Sequence, residues 1–326
     1  MFTCPPILPY FTPLPALSLQ GEANLGIPAW LAAVEADLDK ALASGTPIRQ
    51  VVMGRCCAID SMMEALFELY ELDQTDLTLF ATGGYGRGEL HPFSDVDLLL
   101  LSPNPIDEPL NQKISPFVAR LWDIGIDPAL VVRSVEECDE ACHDDITVAT
   151  SLLEARILAG NVAQAGLPMQ LLNKNWSQTK FYEAKMAEAK ARYLKHNSTE
   201  YNLEPDLKNA PGGLRDIHTV GWISKRYFRV TNLFGLVQQE FITEKEFDEL
   251  QEAEDFLWLI RHHLHKIAKR NENRVLFDYQ RLIAERIGYR DNSHPNAAVE
   301  QFMRDYYRYA MSNSTLSEML TQHYYE

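Results

Sequence analysis

Two aspartates separated by a single residue, Asp95 and Asp97, stand at the head of the run Val96-Asp-Leu-Leu-Leu-Leu101. On a strand, residues two apart project to one face while Val96 turns to the other. Two carboxylates on one face can share a pair of Mg2+ ions. One ion orients or acidifies an attacking hydroxyl, and the other grips a triphosphate and neutralises the charge that develops as pyrophosphate leaves. The bland alternative is a turn residue followed by a solvated strand edge. Asp97, however, interrupts a strand that is otherwise apolar, where an unpaired carboxylate is costly, so a metal partner is the economical reading.

Other residues fit the same chemistry. Gly83-Gly84 closes the β-prone run Leu77 to Thr82. Missing side chains let phosphates approach backbone N–H groups, although a turn needing positive φ explains the pair equally well. Arg87 is placed either to reach a phosphate or to pair with Glu89, and Ser94 either to hydrogen-bond a nucleotide or to cap a turn. Asp127 is the candidate third carboxylate and third metal ligand, or else only the turn into the strand that Pro128 opens.

The elements that must position these residues are legible in the hydrophobic periodicity. Ile48, Val51, Val52, Ile59, Met62, Met63, Leu66 and Leu69 recur at helical spacing after Thr46-Pro47, predicting a helix to about Leu72. Strands are expected over Leu77–Thr82, Val96–Leu101 and Ile126–Arg133, with a short helical turn at Gly86–Leu90 and a helix over Leu110–Trp122. Ser134 and Glu137 have capping-box spacing. Beyond about Thr147 only helices are expected, over Val148–Ala159, Phe181–Leu194, Leu214–Phe228, Glu244–Lys269 and Ala297–Leu320. The pattern is α+β: an extended arm over 1–25, a sheet-bearing domain with preceding helices over 26–146, and a helical domain over 147–326. Asn197 to Gly213 is a polar loop longer than a connection needs.

Composition narrows the function classes. Lys and Arg number 30 against 46 Asp and Glu, a formal charge of −16, which disfavours a nucleic-acid acceptor because its backbone rewards clustered cations. No apolar run reaches the length of a membrane span. The cysteines Cys4, Cys56, Cys57, Cys138 and Cys142 show no secreted framework and no C-x-x-C pair, which points to reducing cytoplasm and to packing roles. His262, His263 and His265 crowd one helix with no obvious acidic partner, so a surface or interdomain position is expected. Tyr306, Tyr307 and Tyr309 read as helix packing.

Gly83 to Leu90 with Ser94 to Asp97 resembles the nucleotidyltransferase motif of the DNA polymerase β superfamily. The longer string Gly-Gly-Tyr-Gly-Arg-Gly-Glu-Leu-His-Pro-Phe-Ser-Asp-Val-Asp-Leu-Leu-Leu100 resembles the bifunctional PII uridylyltransferase/uridylyl-removing enzymes, the GlnD family of bacterial nitrogen control. The resemblance recurs in Asp145 to Gly160, Tyr201 to His218 and Phe302 to Arg308. It implies a polymerase-β-like nucleotidyltransferase core, a small mixed sheet with helices, plus a mostly helical second domain. It further implies that Asp95 and Asp97 bind Mg2+, that Gly83 and Gly84 hold the phosphates of UTP, and that the acceptor is a tyrosine hydroxyl of the PII signalling protein. In the loop at the domain junction, Lys208 or Arg215 meets the nucleotide or acceptor, or else Arg215 staples the loop to Asp206 or Asp216. The family string Gly-His-Ser-Val-Arg is replaced here by Ala129-Leu-Val-Val-Arg133. That change keeps two alternatives in view: an altered donor such as ATP or another protein target, and a catalytically weak regulatory or binding module. The family's uridylyl-removing and glutamine-sensing domains are expected to be absent.

Overall fold

A strand as short and as buried as Thr78–Ala81 needs cover on both faces and partners on both edges. The computed structural model supplies both. It describes residues 14, 23–196, 202–230, 232–291 and 294–324. The elements in chain order are α1 (Ala23–Ala43), α2 (Ile48–Leu69), β1 (Thr78–Ala81), α3 (Gly83–Arg87), β2 (Val96–Ser102), α4 (Glu108–Asp123), β3 (Pro128–Ser134), α5 (Val135–Asp144), α6 (Ile146–Leu153), β4 (Arg156–Gly160), α7 (Leu167–Asn175), α8 (Gln178–Lys195), α9 (Leu214–Phe228), α10 (Phe234–Gln238), α11 (Glu244–Ala268), α12 (Phe277–Ile287) and α13 (Ala297–His323). They divide into two compact units, Met1–Trp176 and Ser177–Glu326. The expected arm over 1–25 lies outside the described residues apart from Leu14 and the start of α1.

The first unit is built on a mixed sheet in the order β3-β2-β1-β4. β1 pairs antiparallel with β2 and β4, and β2 pairs parallel with β3. The fold class is the one expected, α+β with a small mixed sheet and a helical remainder. Val52, Met62, Leu66 and Phe67 of α2 are buried together with Leu79, Phe80, Leu100 and Phe117, and the Phe67 and Phe117 rings meet edge to face at 6.3 Å. Ser134 and Glu137 form the expected capping box at α5. The buried thiols of Cys56 and Cys138 are pushed up by desolvation, that of Cys56 to about 12, which makes them packing groups rather than nucleophiles.

The structure departs from expectation at β4. A helix is expected across Val148–Ala159, but α6 stops at Leu153 and Arg156–Gly160 pairs with β1. An apolar segment this short does not choose its own conformation, and the open edge of β1 chooses for it. The expected division at 146/147 therefore falls in the first turn of α6, inside the first unit. The short helix also begins three residues earlier than expected, at Gly83 rather than Gly86.

The second unit is helical throughout its described residues, with Val220, Leu236, Leu250, Leu316 and Leu320 forming a buried cluster. Among the described residues no helix is long and apolar enough to cross a membrane. His262 and His265 are buried on α11, not at the surface, on the face that also carries the buried Glu254, Trp258 and Arg261. Tyr306 is buried and the Tyr309 ring packs on Phe256 at 4.7 Å, as the packing reading of the tyrosines requires. Among the loop residues after Asn202, Gly212 has φ +76° and lies so close to Ala310 that a Cβ would overlap the Ala310 carbonyl oxygen. Asn313 donates to the carbonyls of Gly212 and Gly213 at 2.8 and 3.1 Å, tying this loop to α13.

Candidate active site

The register of the sheet decides which acidic groups share a face. Val96 is buried, so Asp95 and Asp97 on either side of it look the other way, Asp95 exposed and Asp97 half-buried. Parallel pairing sets Val96 beside Pro128 and Asp97 beside Ala129, and the Val96 N–H donates to the Asp127 carbonyl at 2.8 Å. Pro128 is buried with Val96 while Asp127 and Ala129 are exposed. Asp127 thus enters β3 opposite Asp95, on the face that carries Asp97.

Gly83 adjoins this face directly. Its φ is +54°, and a Cβ there would overlap Asp97 Oδ2 and lie 2.9 Å from Asp97 Cγ. The Thr82 N–H donates to the Asp97 carbonyl at 3.0 Å, which locks the loop to β2. The pair Gly83-Gly84 therefore serves both readings offered by the sequence: a positive φ is required, and the missing side chain lets the loop lie against a carboxylate. Ser94 Oγ is buried with no hydrogen-bond partner in the structure. An orphaned hydroxyl, a glycine pressed on a carboxylate and three acidic groups at adjoining strand ends are a donor set that fits a hard divalent cation and a triphosphate.

Arg87 takes the other of its two expected roles. Its guanidinium donates to Glu89 at 2.8 and 2.9 Å and also to Glu154. Burial opposes its charge, but the facing carboxylates of Glu154 and Glu89 hold it above the ordinary arginine value. Arg87→Met takes the guanidinium away from the buried Glu154 and the half-buried Glu89 and should destabilise the chain by about 3–5 kcal/mol. Urea unfolding measures this, and a change below about 0.5 kcal/mol would return Arg87 to the phosphate reading.

Two arginines brace the loop and were not singled out from sequence. Arg156 on β4 donates to both oxygens of Asp60 at 2.8 and 3.0 Å and to the Tyr85 carbonyl at 3.3 Å. Arg55 donates to the Leu90 carbonyl at 3.2 Å and to Glu35 at 2.9 Å. Backbone carbonyls at two points of Gly83–Leu90 are thereby held by the buried Arg55 and the half-buried Arg156. The only local signal was a pair of charged residues, Arg55 and Asp60, on the apolar face of α2. Gly86 also packs closely: a Cβ would overlap the Glu154 carbonyl oxygen and lie 2.9 Å from that of Ala81.

Asp206 and Asp216, the two carboxylates named for the expected staple, each have partners of their own. Asp216 accepts from Arg192 and from the Gly212 N–H, both at 2.7 Å. Asp206 caps the N–H groups of Lys208 and Asn209 at 2.8 and 2.7 Å. The Arg215 guanidinium lies 5.2 Å from the Trp222 ring centroid, within cation–π range. Lys208 and Arg215 belong to the second unit and the carboxylate set to the first.

Comparison with known proteins agrees with this geometry. A nucleotidyltransferase domain model matches residues 62–150, which hold the sheet face just described, and a GlnD PII-uridylyltransferase model matches residues 180–321. Proteins named bifunctional uridylyltransferase/uridylyl-removing enzyme are similar along the chain. One from Psychrobacter sp. (strain PRwf-1) is 60% identical over 100% of this chain and 37% of its own length. One from Psychrobacter arcticus is 56% identical over 100% and 38%, and one from Acinetobacter baumannii is 49% identical over 91% and 34%. The chain thus spans little more than a third of the length of these relatives. With a nucleotidyltransferase domain over its sheet and this degree of identity along it, the chain belongs to the GlnD PII-uridylyltransferase family.

Proposed function

We propose that the chain transfers a uridylyl group from UTP to a tyrosine hydroxyl of a PII-type signalling protein. The phenolic oxygen bonds to the α-phosphorus, the bond to the bridging oxygen breaks, and pyrophosphate leaves as the phenolic proton is released. The observation that carries this reading is the face shared by Asp95, Asp97 and Gly83, in a chain similar to proteins named for uridylyl transfer. Asp95, Asp97 and the adjoining Asp127 would hold two Mg2+ ions, which supply charge neutralisation at the phosphates and activation of the hydroxyl. Gly83 and Gly84 leave room for the triphosphate beside Asp97, and the Ser94 hydroxyl offers it a hydrogen bond. Arg55 and Arg156 keep the loop in register through carbonyls rather than through the substrate. Lys208 and Arg215 remain candidate contacts to nucleotide or acceptor. A formal charge of −16 supports a protein acceptor over a polynucleotide.

The second reading, a changed donor or target, is favoured by Val131, which is 42% exposed on the edge strand β3 beside the apolar Leu130. The two are separated by incubating the chain with α-labelled UTP, ATP, CTP or GTP, Mg2+ and purified PII. Label from UTP should appear on PII and vanish with chelator. Preferential labelling by ATP would overturn the uridylyl reading, and nucleotide binding without pyrophosphate release from any donor would make the chain a binding module.

A further inference from the structure

Phe93 carries two unfavourable features with no return inside the fold. Its φ is +57°, a conformation that bulky side chains rarely adopt. Its ring is also 52% exposed. Six described non-glycine residues have positive φ, and the others, Glu71, Arg229, Glu240, Lys269 and Asn296, flank helix ends, where a left-handed residue satisfies the last carbonyls or starts the next helix. Phe93 flanks none. It occupies the third place of a turn in which the Ser94 N–H donates to the His91 carbonyl at 3.1 Å, with Pro92 in the second. Glycine or asparagine is the ordinary residue there.

The position of this turn supplies a reason. Phe93 immediately precedes Ser94, whose buried hydroxyl lacks a partner, and Asp95, the first carboxylate of the candidate site. Backbone strain of this kind clusters at active sites and ligand clamps, where the surrounding structure holds it in place.

We propose that the Phe93 ring is the platform on which the base of the nucleoside triphosphate stacks. The inference rests on the nucleotidyl-transfer reading and adds a residue to it. A single half-exposed ring suits a planar base, whereas a stable protein interface needs a far larger apolar area. Stacking uses the π-face that every base possesses, so Phe93 contributes affinity, and discrimination between bases falls to other groups.

The test measures binding of Mg2+-UTP and of Mg2+-tripolyphosphate to the full chain by calorimetry, for the natural protein, Phe93→Gly and Phe93→Trp. Phe93→Gly should weaken UTP roughly tenfold and leave tripolyphosphate, which has no base, within about twofold of the natural value. It should also raise the melting temperature by a few degrees, about what relief of left-handed strain gives. Phe93→Trp should keep UTP affinity. Unchanged UTP affinity in Phe93→Gly overturns the proposal, as does an equal loss for both ligands. If the natural protein binds neither ligand, the transfer reading itself falls, a result distinct from the others.

Discussion

Asp95→Ala and Asp97→Ala should each lower Mg2+-dependent labelling of PII by UTP by about 10³-fold or more, with far-UV dichroism and melting temperature nearly unchanged. Fixed charge aimed at a developing anion is commonly worth about 10²–10³ in kcat per donor. Losing a carboxylate that holds the cation removes such a term and the positioning of the triphosphate with it. The fold should tolerate the change because the link between the loop and β2 runs through the backbone, from the Thr82 N–H to the Asp97 carbonyl. Val96, the residue between the two carboxylates, keeps its buried place and its N–H bond to the Asp127 carbonyl. Labelling that persists in both variants would show the metal assignment to be wrong. Asp127→Ala tests the third ligand in the same assay, and full activity there would confine the metal set to β2.

Gly83→Ala should damage both stability and activity, for separable reasons. A left-handed φ of +54° costs a residue with a Cβ about 1–2 kcal/mol. The added methyl also overlaps Asp97 Oδ2, so loop or carboxylate must move. A displacement near 1 Å at a reacting centre costs roughly 10²-fold in rate. Asparagine tolerates the left-handed region better than alanine does but carries the same Cβ against Asp97 Oδ2, so Gly83→Asn should recover only the part of the stability that φ costs and should still lack activity. In an Asp97→Ala background the stability cost of Gly83→Ala should shrink, because the overlapping atoms are gone, and the double-mutant cycle reads that coupling directly. Equal costs in the two backgrounds would mean that Gly83 is required by its φ alone.

These two results bear on different kinds of information in the chain. Asp95 and Asp97 are two apart on an apolar run, so a period of two sets them on one face whatever the rest of the molecule does. The long helices of the second unit were equally legible: α9 spans Leu214–Phe228 as the periodicity predicts, and α8, α11 and α13 differ from expectation only at their ends, whereas α10 and α12 were not expected. Ser134 and Glu137 met in a capping box because three residues of helix bring them together. In each case the cause lies within a turn or two of chain.

The remaining features were decided by partners far along the chain. Arg87 joined Glu154 across 67 residues and Arg156 joined Asp60 across 96, pairings that no local pattern encodes. β4 became a strand because β1 had an open edge, and His262 and His265 lie on the buried face of α11. Glycine at position 83 advertised conformational freedom, yet only the fold shows that the missing Cβ makes room for Asp97. Sequence by itself determined which residue types stand at the site and which face each presents, because those follow from the local periods of helix and strand. Tertiary structure alone decided which charges are neutralised, which glycine is irreplaceable and which phenylalanine is held in strain, because each depends on atoms brought together only when the sheet closes.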